Sequence, residues 1–286
     1  VTLKQIGVSQ AGQGFPGAVG PGECARIFTG APLPDGADAI VIQEDTTAVN
    51  EQITVMESTQ SGADVRPAGL DFSVGDILLK TGAVLSARDL GLAAAMNVPW
   101  LRVRRRPRVA IVATGDEVMM PGDPIGADQI VSSNSIALAA IVRVLGGEPL
   151  GLGIARDTDA SLRQVLSGAK GADVLVTIGG ASVGDYDLVQ KVMAEDGLDL
   201  NFYKVAMRPG KPLIFGRWKD IPVLGLPGNP VSAGVTSAIF LRAAINVMLG
   251  IGDGGLGTEK ARLGCDVKAN GMRQEFMRAT LDTDSE

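Results

Sequence analysis

Between residues 107 and 249 the chain alternates short, unbroken apolar runs with longer segments of helical period. "RVAIVATG", "EPLGLGIARD", "ADVLVTIGG" and "IPVLGLPG" read as strands, and none shows the strict polar alternation of a one-sided sheet. "SSNSIALAAIVRVLGG", "DASLRQVLSGAKG", "YDLVQKVMAEDG" and "NPVSAGVTSAIFLRAAINVML" read as the helices between and after them. Ile136, Ala140, Ile141, Val144 and Leu145 are expected on one face of the first helix, and Leu162, Val165, Leu166 and Ala169 on one face of the second. A strand that is apolar on both sides has to be covered on both sides, and a helical crossover allows parallel pairing. The alternation therefore predicts an α/β fold with a parallel sheet covered on both faces.

The flanks have a different texture. A chain of 286 residues is too long for one ordinary core, so several domains are expected. Residues 1–106 are read as a β-rich N-terminal and linker region, on "ADAIVIQED", "QITVMES" and "GDILLKTG". Within it "LSARDLGLAAAMN" reads as a helix, with Ser86 as N-cap and Asp89 three residues on. Residues 107–249 are the α/β domain. Residues 250–286 are read as the start of a C-terminal β domain, opening with the flexible "GIGDGGLGT" and continuing with strands in "KARLGCDVKA" and "QEFMRATLD". The opening "VTLKQIG", without Met, is taken as the edge of a fragment whose missing start could have carried a signal.

Composition removes whole classes of chemistry. The chain has no histidine, so it cannot form a Ser-His-Asp triad, a Cys-His pair or a His-ligated zinc. Cys24 and Cys265 are far apart and fit no metal-ligand spacing; they read as reduced thiols of a cytoplasmic protein. A metal would have to be held by oxygen, which favours Mg²⁺. The net charge of −6 argues against bulk nucleic-acid binding, and no apolar run reaches membrane-spanning length. "LRVRRRPR" is either an anion-binding patch or a solvated edge and linker. With an acidic chain and no interleaved aromatics, the second reading is preferred.

Ligands of open parallel sheets sit at the carboxyl ends of the strands. The four expected strands end in Thr114-Gly115-Asp116-Glu117, Arg156-Asp157-Thr158-Asp159, Gly179-Gly180-Ala181-Ser182-Val183-Gly184-Asp185 and Leu226-Pro227-Gly228-Asn229-Pro230-Val231-Ser232. Gly179 and Gly180 let a ligand approach the backbone, and the N–H groups that follow can point at phosphate oxygens. Ser182 adds a hydroxyl. Asp185 alone would repel a phosphate, a conflict that a divalent cation shared with Glu117 and Asp157 removes. Alternatively Asp185 caps the helix that follows. The convergence of four polar strand ends favours the ligand reading. Lys204, Arg208 and Lys211, around "VAMRPGKPLIFG", supply cations for a phosphate or oxyanion, or form an ordinary basic hairpin turn. Pro227 and Pro230 stiffen the loop before the last helix, as a ligand wall or as a plain helix start.

At these residues the chain resembles the MoeA family, the molybdopterin molybdenumtransferases, whose eukaryotic relative is the E domain of gephyrin. "ARIFTGAPLPDGADAIVIQED", "RPRVAIVATGDEV", "LGIARD", "TIGGASVGDYD", "RPGKPLIFG" and "GLPGNPVSA" carry the resemblance, in the family's order and across nearly the whole chain. The middle region alone also fits molybdopterin adenylyltransferases and CinA-type proteins. The family's early Asp-Gly-Tyr-Ala segment would lie upstream of Val1, its Lys-Pro-Gly-Lys turn is Arg208-Pro209-Gly210-Lys211 here, and the C-terminal β domain reads as truncated after Glu286.

The resemblance implies the last step of molybdenum cofactor synthesis: adenylylated molybdopterin binds, molybdate enters, the pyrophosphate linkage is cleaved, and AMP leaves as the dithiolene ligates the metal. It implies Glu117, Asp157 and Asp185 as Mg²⁺-associated carboxylates. It implies Gly180, Ser182, Lys204, Arg208 and Lys211 around the pterin phosphate or molybdate, and Pro227 and Pro230 in the pocket wall; Thr114, Gly115, Gly179, Asn229 and Ser232, at the same strand ends, are expected to bind substrate beside them. Thr29 and Asp71 are functional in the family and come from the β-rich half, which in the family closes over the partner subunit of a homodimer. Hand-over from a molybdopterin adenylyltransferase fits the same picture. The rivals are a nucleotide hydrolase or adenylyltransferase on the same α/β domain, against which "TGAPLPDGADAIV" speaks, and a non-catalytic scaffold, for which no receptor groove is legible.

Overall fold

The structure is a computed structural model that describes residues 1–180, 188–252 and 257–282, and its internal contacts divide the chain into Val1–Leu78 and Leu79–Glu286. The first unit is built on a four-stranded sheet of β1 (Thr2–Ser9), β2 (Glu23–Ile27), β3 (Thr46–Val49) and β4 (Gln52–Val55), in the order β2-β1-β4-β3. β1 pairs parallel with β2 and antiparallel with β4, and a bulge falls between Gln5 and Gly7. A Cβ at residue 7 would overlap the Phe15 ring, which would have to move to admit it.

Two of the three strands expected in this half are not formed. "ADAIVIQED" holds only one 3₁₀ turn, Gln43–Asp45, because the backbone of Asp38 and Ile40 bonds the Gly62-Ala63 turn instead of a ladder. "GDILLKTG" also forms no strand, and Ile77 is 79% exposed. Short apolar runs carry the composition of a strand whether or not a neighbour is in place to pair with them.

In the second unit, α1 (Ala87–Ala95) begins at Ser86, which forms the expected capping box with Asp89. Then come β5 (Arg108–Thr114), the two-residue β6 (Val118–Met119) and β7 (Ile130–Val131), α2 (Ser133–Val144), β8 (Glu148–Ala155), α3 (Asp159–Ser167), β9 (Val174–Ile178) and α4 (Leu188–Glu195). They are followed by β10 (Leu198–Lys204), β11 (Met207–Arg208), β12 (Pro212–Trp218), β13 (Ile221–Leu226), α5 (Pro230–Thr236), a π-helical turn Ser237–Leu241, α6 (Arg242–Leu249) and β14 (Gln274–Glu275).

The main sheet has the order β10-β12-β13-β9-β5-β8. β13, β9, β5 and β8 are parallel, as expected, but β12 and β10 extend the sheet antiparallel at one edge. The sheet is therefore mixed. "LDLNFYK" carries no strand signature in sequence, because an edge strand buried on neither face lacks the apolar run that marks the central strands.

Side chains alternate between the two faces along each strand. Val109, Ile111, Val176, Leu224 and Leu226 pack with Leu138, Val142, Leu241 and Ile245 on one side. Ala110, Val112, Leu175 and Val223 pack with Leu162, Leu166, Val189, Val192 and Trp218 on the other. The face of α3 is as expected. The face of α2 is only partly as expected: Ile141 and Leu145 do pack against the core, but Leu138 and Val142 are the buried residues, while Ile136 and Val144 are 55% and 87% exposed. In a helix this apolar, composition does not define the stripe, and the sheet selects the Leu138–Val142 ridge. Pro230–Leu249 is long and apolar enough to cross a membrane, and its Ala233, Leu241 and Ile245 are buried in this unit. "KARLGCDVKA" forms no strand, whereas "QEFMRATLD" contributes β14, which pairs parallel with β11.

Candidate functional site

Parallel pairing carries the ends of β5, β8, β9 and β13 to one edge, with Thr114 opposite Ala155, Ala113 opposite Ile178 and Leu226 opposite Ile178. Just past the ladder the backbones stay tied: the Gly115 N–H donates to the Ala155 carbonyl at 3.2 Å and the Gly179 N–H to the Leu226 carbonyl at 3.1 Å. That second bond means that the Gly179 amide is already used within the sheet. Gly179 and Gly180 have φ of +88° and +65°, a region in which glycine is at no disadvantage. A Cβ at Gly179 would lie 3.1 Å from both the carbonyl oxygen and Oγ1 of Thr114, and one at Gly180 only 2.6 Å from Val189 Cγ2. A Cβ at Gly228 would lie 3.6 Å from the Gly179 Cα. Bare glycines thus let three strand ends crowd around buried Thr114, whose hydroxyl faces the Ile178 carbonyl at 3.4 Å.

The acidic loop after β5 is held from β8. Arg156 Nη1 donates to the carbonyls of Asp116 at 2.9 Å and Val118 at 3.2 Å, on either side of Glu117. The Asp157 N–H donates to Asp116 Oδ1 at 3.1 Å, and the Arg156 N–H to Ser161 Oγ at 2.9 Å. Thr158 caps α3 through a bond from the Ser161 N–H. Glu117 and Asp157 are exposed on neighbouring loops, the Glu117 carboxylate lying against Gly115. Both are hard oxygen donors suited to Mg²⁺. Among the described residues no three His, Cys, Asp or Glu side chains gather as a metal cage. Asp185, the third expected carboxylate, and Ser182 lie outside the described residues.

The basic turn reaches the same edge by topology. β10 is antiparallel to β12, which is antiparallel to β13, so the turn from Lys204 to Pro212 lies at the carboxyl end of the parallel strands. Gly210 packs on α5, where a Cβ would meet Thr236 Cγ2 at 2.5 Å. Lys204 stacks over the Tyr203 ring at 4.8 Å, and Lys211 is exposed. Arg208 pairs with Glu275 at 3.4 Å, so part of its charge is answered by β14.

On the remaining strand end Pro227 is buried and Pro230 is the first residue of α5. Asn229 caps that helix, its Oδ1 accepting from the Val231 and Ser232 amides at 3.0 and 3.2 Å. The cap uses Oδ1 and not Nδ2. Asn134, at the start of α2, donates to the Gly228 carbonyl at 2.7 Å. Thr29 and Asp71 belong to the first unit; Thr29 is exposed, and Asp71 forms an exposed ion pair with Arg66 at 2.7 Å.

Asp116, Arg156 and Asn134 have no counterpart among the expected site residues. Asp116 and Arg156 stand next to residues that were singled out, and only the distances reveal their part. Asn134 lies 94 positions from its partner, beyond any spacing argument.

Comparison with known proteins matches residues 2–97 to the MoeA N-terminal region (domain I and II) and residues 110–246 to a probable molybdopterin binding domain. A molybdopterin molybdenumtransferase of Nostoc sp. is 36% identical over 98% of this chain and 66% of its own length. Molybdopterin molybdenumtransferase 2 of Mycobacterium tuberculosis is 37% identical over 90% of this chain and 65% of its own length. The crystal structure of a molybdopterin biosynthesis MoeA protein from Pyrococcus horikosii superposes with a TM-score of 0.76 at 36% identity, over 88% of this chain and 63% of that one. This chain thus spans just under two thirds of the length of these relatives. Both matched regions follow one another in a single chain, and the solved relative has the same fold; the chain belongs to the MoeA family.

Proposed function

We propose that this chain carries the molybdate-insertion site of a molybdopterin molybdenumtransferase. It accepts adenylylated molybdopterin and molybdate, cleaves the phosphoanhydride, and releases AMP with the metallated pterin. The observation that carries the reading is one sheet edge where acidic loops, crowded glycines and a basic turn converge. Cleaving a phosphoanhydride calls for positioning and charge stabilisation more than for a side-chain nucleophile. A chain with no histidine is suited to that task.

Glu117, Asp157 and Asp185 would hold Mg²⁺, which would neutralise phosphate charge and orient the scissile linkage. Lys204, Lys211 and the remaining donors of Arg208 face the developing anion. Thr114, Gly115, Gly179 and Gly180 form the floor, with Ser182 as a hydroxyl donor. Pro227, Asn229, Pro230 and Ser232 form the wall. A homodimer drawing Thr29 and Asp71 into catalysis, a cytoplasmic location and hand-over from a molybdopterin adenylyltransferase complete the proposal, all three supported by the family resemblance alone.

The test is AMP release from adenylylated molybdopterin with Mg²⁺, with and without molybdate. Molybdate-dependent release that Asp157→Asn and Asp185→Ala abolish supports the reading. Release regardless of molybdate, or ATP-dependent adenylylation of metal-free molybdopterin, sinks it in favour of a nucleotide-processing relative.

A further inference from the structure

The catalytic reading leaves Arg156 and Asp116 without a role, yet they make the tightest connection between the two acidic loops. We propose that they are positioning residues, a clasp that sets Glu117 and Asp157 at a fixed separation; the inference rests on the function proposed above. Arg156 brackets Glu117 by holding the carbonyls of its two neighbours in sequence, Asp116 and Val118. Its Nη2 lies 3.6 Å from Met119 Sδ, so the planar fork spans the loop rather than touching it at one point. The return connection runs from the Asp157 N–H to Asp116 Oδ1. Four consecutive residues after β5 and two after β8 are thereby closed into one ring of hydrogen bonds, anchored to α3 through Ser161.

The chemistry of the clasp is unusual for an arginine. Among the described residues no carboxylate lies within ion-pair distance of Arg156, although Asp116, Glu117 and Asp157 are its neighbours along the two loops. A guanidinium that gives its donors to carbonyls leaves the Glu117 and Asp157 carboxylates unclaimed by Arg156, while Asp116 serves the clasp through Oδ1, and the guanidinium charge eases the mutual repulsion of all three. A lysine could supply the charge but not the planar fork.

The experiment uses the full chain and the variants Arg156→Ala, Arg156→Lys, Asp116→Ala and Asp116→Asn. Three quantities are read beside the melting temperature: Mn²⁺ binding by electron paramagnetic resonance without substrate, the Mg²⁺ concentration for half-maximal AMP release, and exchange of the Asp157 amide by NMR. Arg156→Ala and Asp116→Ala are expected to weaken Mn²⁺ binding roughly tenfold or more, as loss of a supporting shell does. They should raise the half-maximal Mg²⁺ by a similar factor and speed exchange at Asp157. Asp116→Asn keeps an oxygen for that amide and should recover most of what Asp116→Ala loses; Arg156→Lys should recover less.

Unchanged Mn²⁺ binding and amide exchange in both alanine variants would overturn the clasp. So would an Asp116→Asn as defective as Asp116→Ala, which would make the carboxylate a direct ligand, or losses that only track a falling melting temperature. If the unmodified protein shows no molybdate-dependent release, the proposed function fails separately. The amide exchange and Mn²⁺ arms still judge the geometry.

Discussion

Replacing Gly180 by alanine tests whether the end of β9 is glycine for packing or only for a ligand. The residue has φ of +65°, where a Cβ costs about 1–2 kcal/mol. The added methyl would also stand 2.6 Å from Val189 Cγ2 and 3.3 Å from Thr114 Oγ1, the first well inside van der Waals contact. Val189 is 5% exposed and β-branched on a helix, so its side chain has essentially one rotamer and cannot swing clear. Relief has to come from a shift of α4, an overpacking cost of about 1–3 kcal/mol. Together the two effects predict a loss of about 2–5 kcal/mol.

The assay is urea unfolding followed by tryptophan fluorescence, since Trp100 and Trp218 both belong to the α/β unit and Trp218 is buried in it. A double-mutant cycle with Val189→Ala separates the terms. Removing Cγ2 relieves the closest contact, leaving Val189 Cβ at 3.2 Å, but not the backbone strain, so the pair should couple by about 1–3 kcal/mol, with the double variant more stable than additivity allows. Strict additivity, or a Gly180→Ala protein as stable as its parent, would refute the packing account. The glycine would then be there for the ligand alone.

Asn229→Ala removes the acceptor of two amides at the start of α5 and should cost about 0.5–2 kcal/mol in the same unfolding assay. A loss of activity much larger than the loss of stability would point to a ligand contact through its Nδ2. Leu226→Ala empties a fully buried position at the end of β13 and should cost about 2–5 kcal/mol, measured by the unfolding midpoint.

Arg105 donates two hydrogen bonds to Asp173, and with a further bond from the Arg108 amide these hold the Asp173 carboxyl below the usual carboxylate range. A depressed carboxylate stabilises the fold above its unfolded pKa of about 3.9, and the contribution is lost as pH falls through the native value. The stability gap between the parent and Arg105→Ala should therefore close on acidification, and NMR titration should show the Asp173 pKa rising in the variant. A gap that widens towards low pH contradicts the assignment.

How much of this was legible beforehand depends on the range of the signal. β5 and β9 are buried along almost their whole length, so burial is written into consecutive residues and the central strands stand out. The capping box at Ser86 and Asp89 is equally local, a pattern of three-residue spacing that needs no tertiary partner. Parallel order then locates the ligand edge, because βα crossovers bring successive carboxyl ends to the same side.

Pairing is another matter. β10 and β12 have sequences that could have been a hairpin apart, and only the register of Ile214 with Gly225 adds them to the sheet and brings the basic turn to the acidic edge. "GDILLKTG" has the composition of a strand and no ladder to join. The reason is the same in the site. Glu117 and Asp157 announce themselves as carboxylates at strand ends, whereas the grip of Arg156 on the Asp116 and Val118 carbonyls is made with backbone atoms that every residue carries. Residue types reveal which groups a chain possesses; which of them meet depends on contacts across dozens of positions, set when the two faces of the sheet are covered.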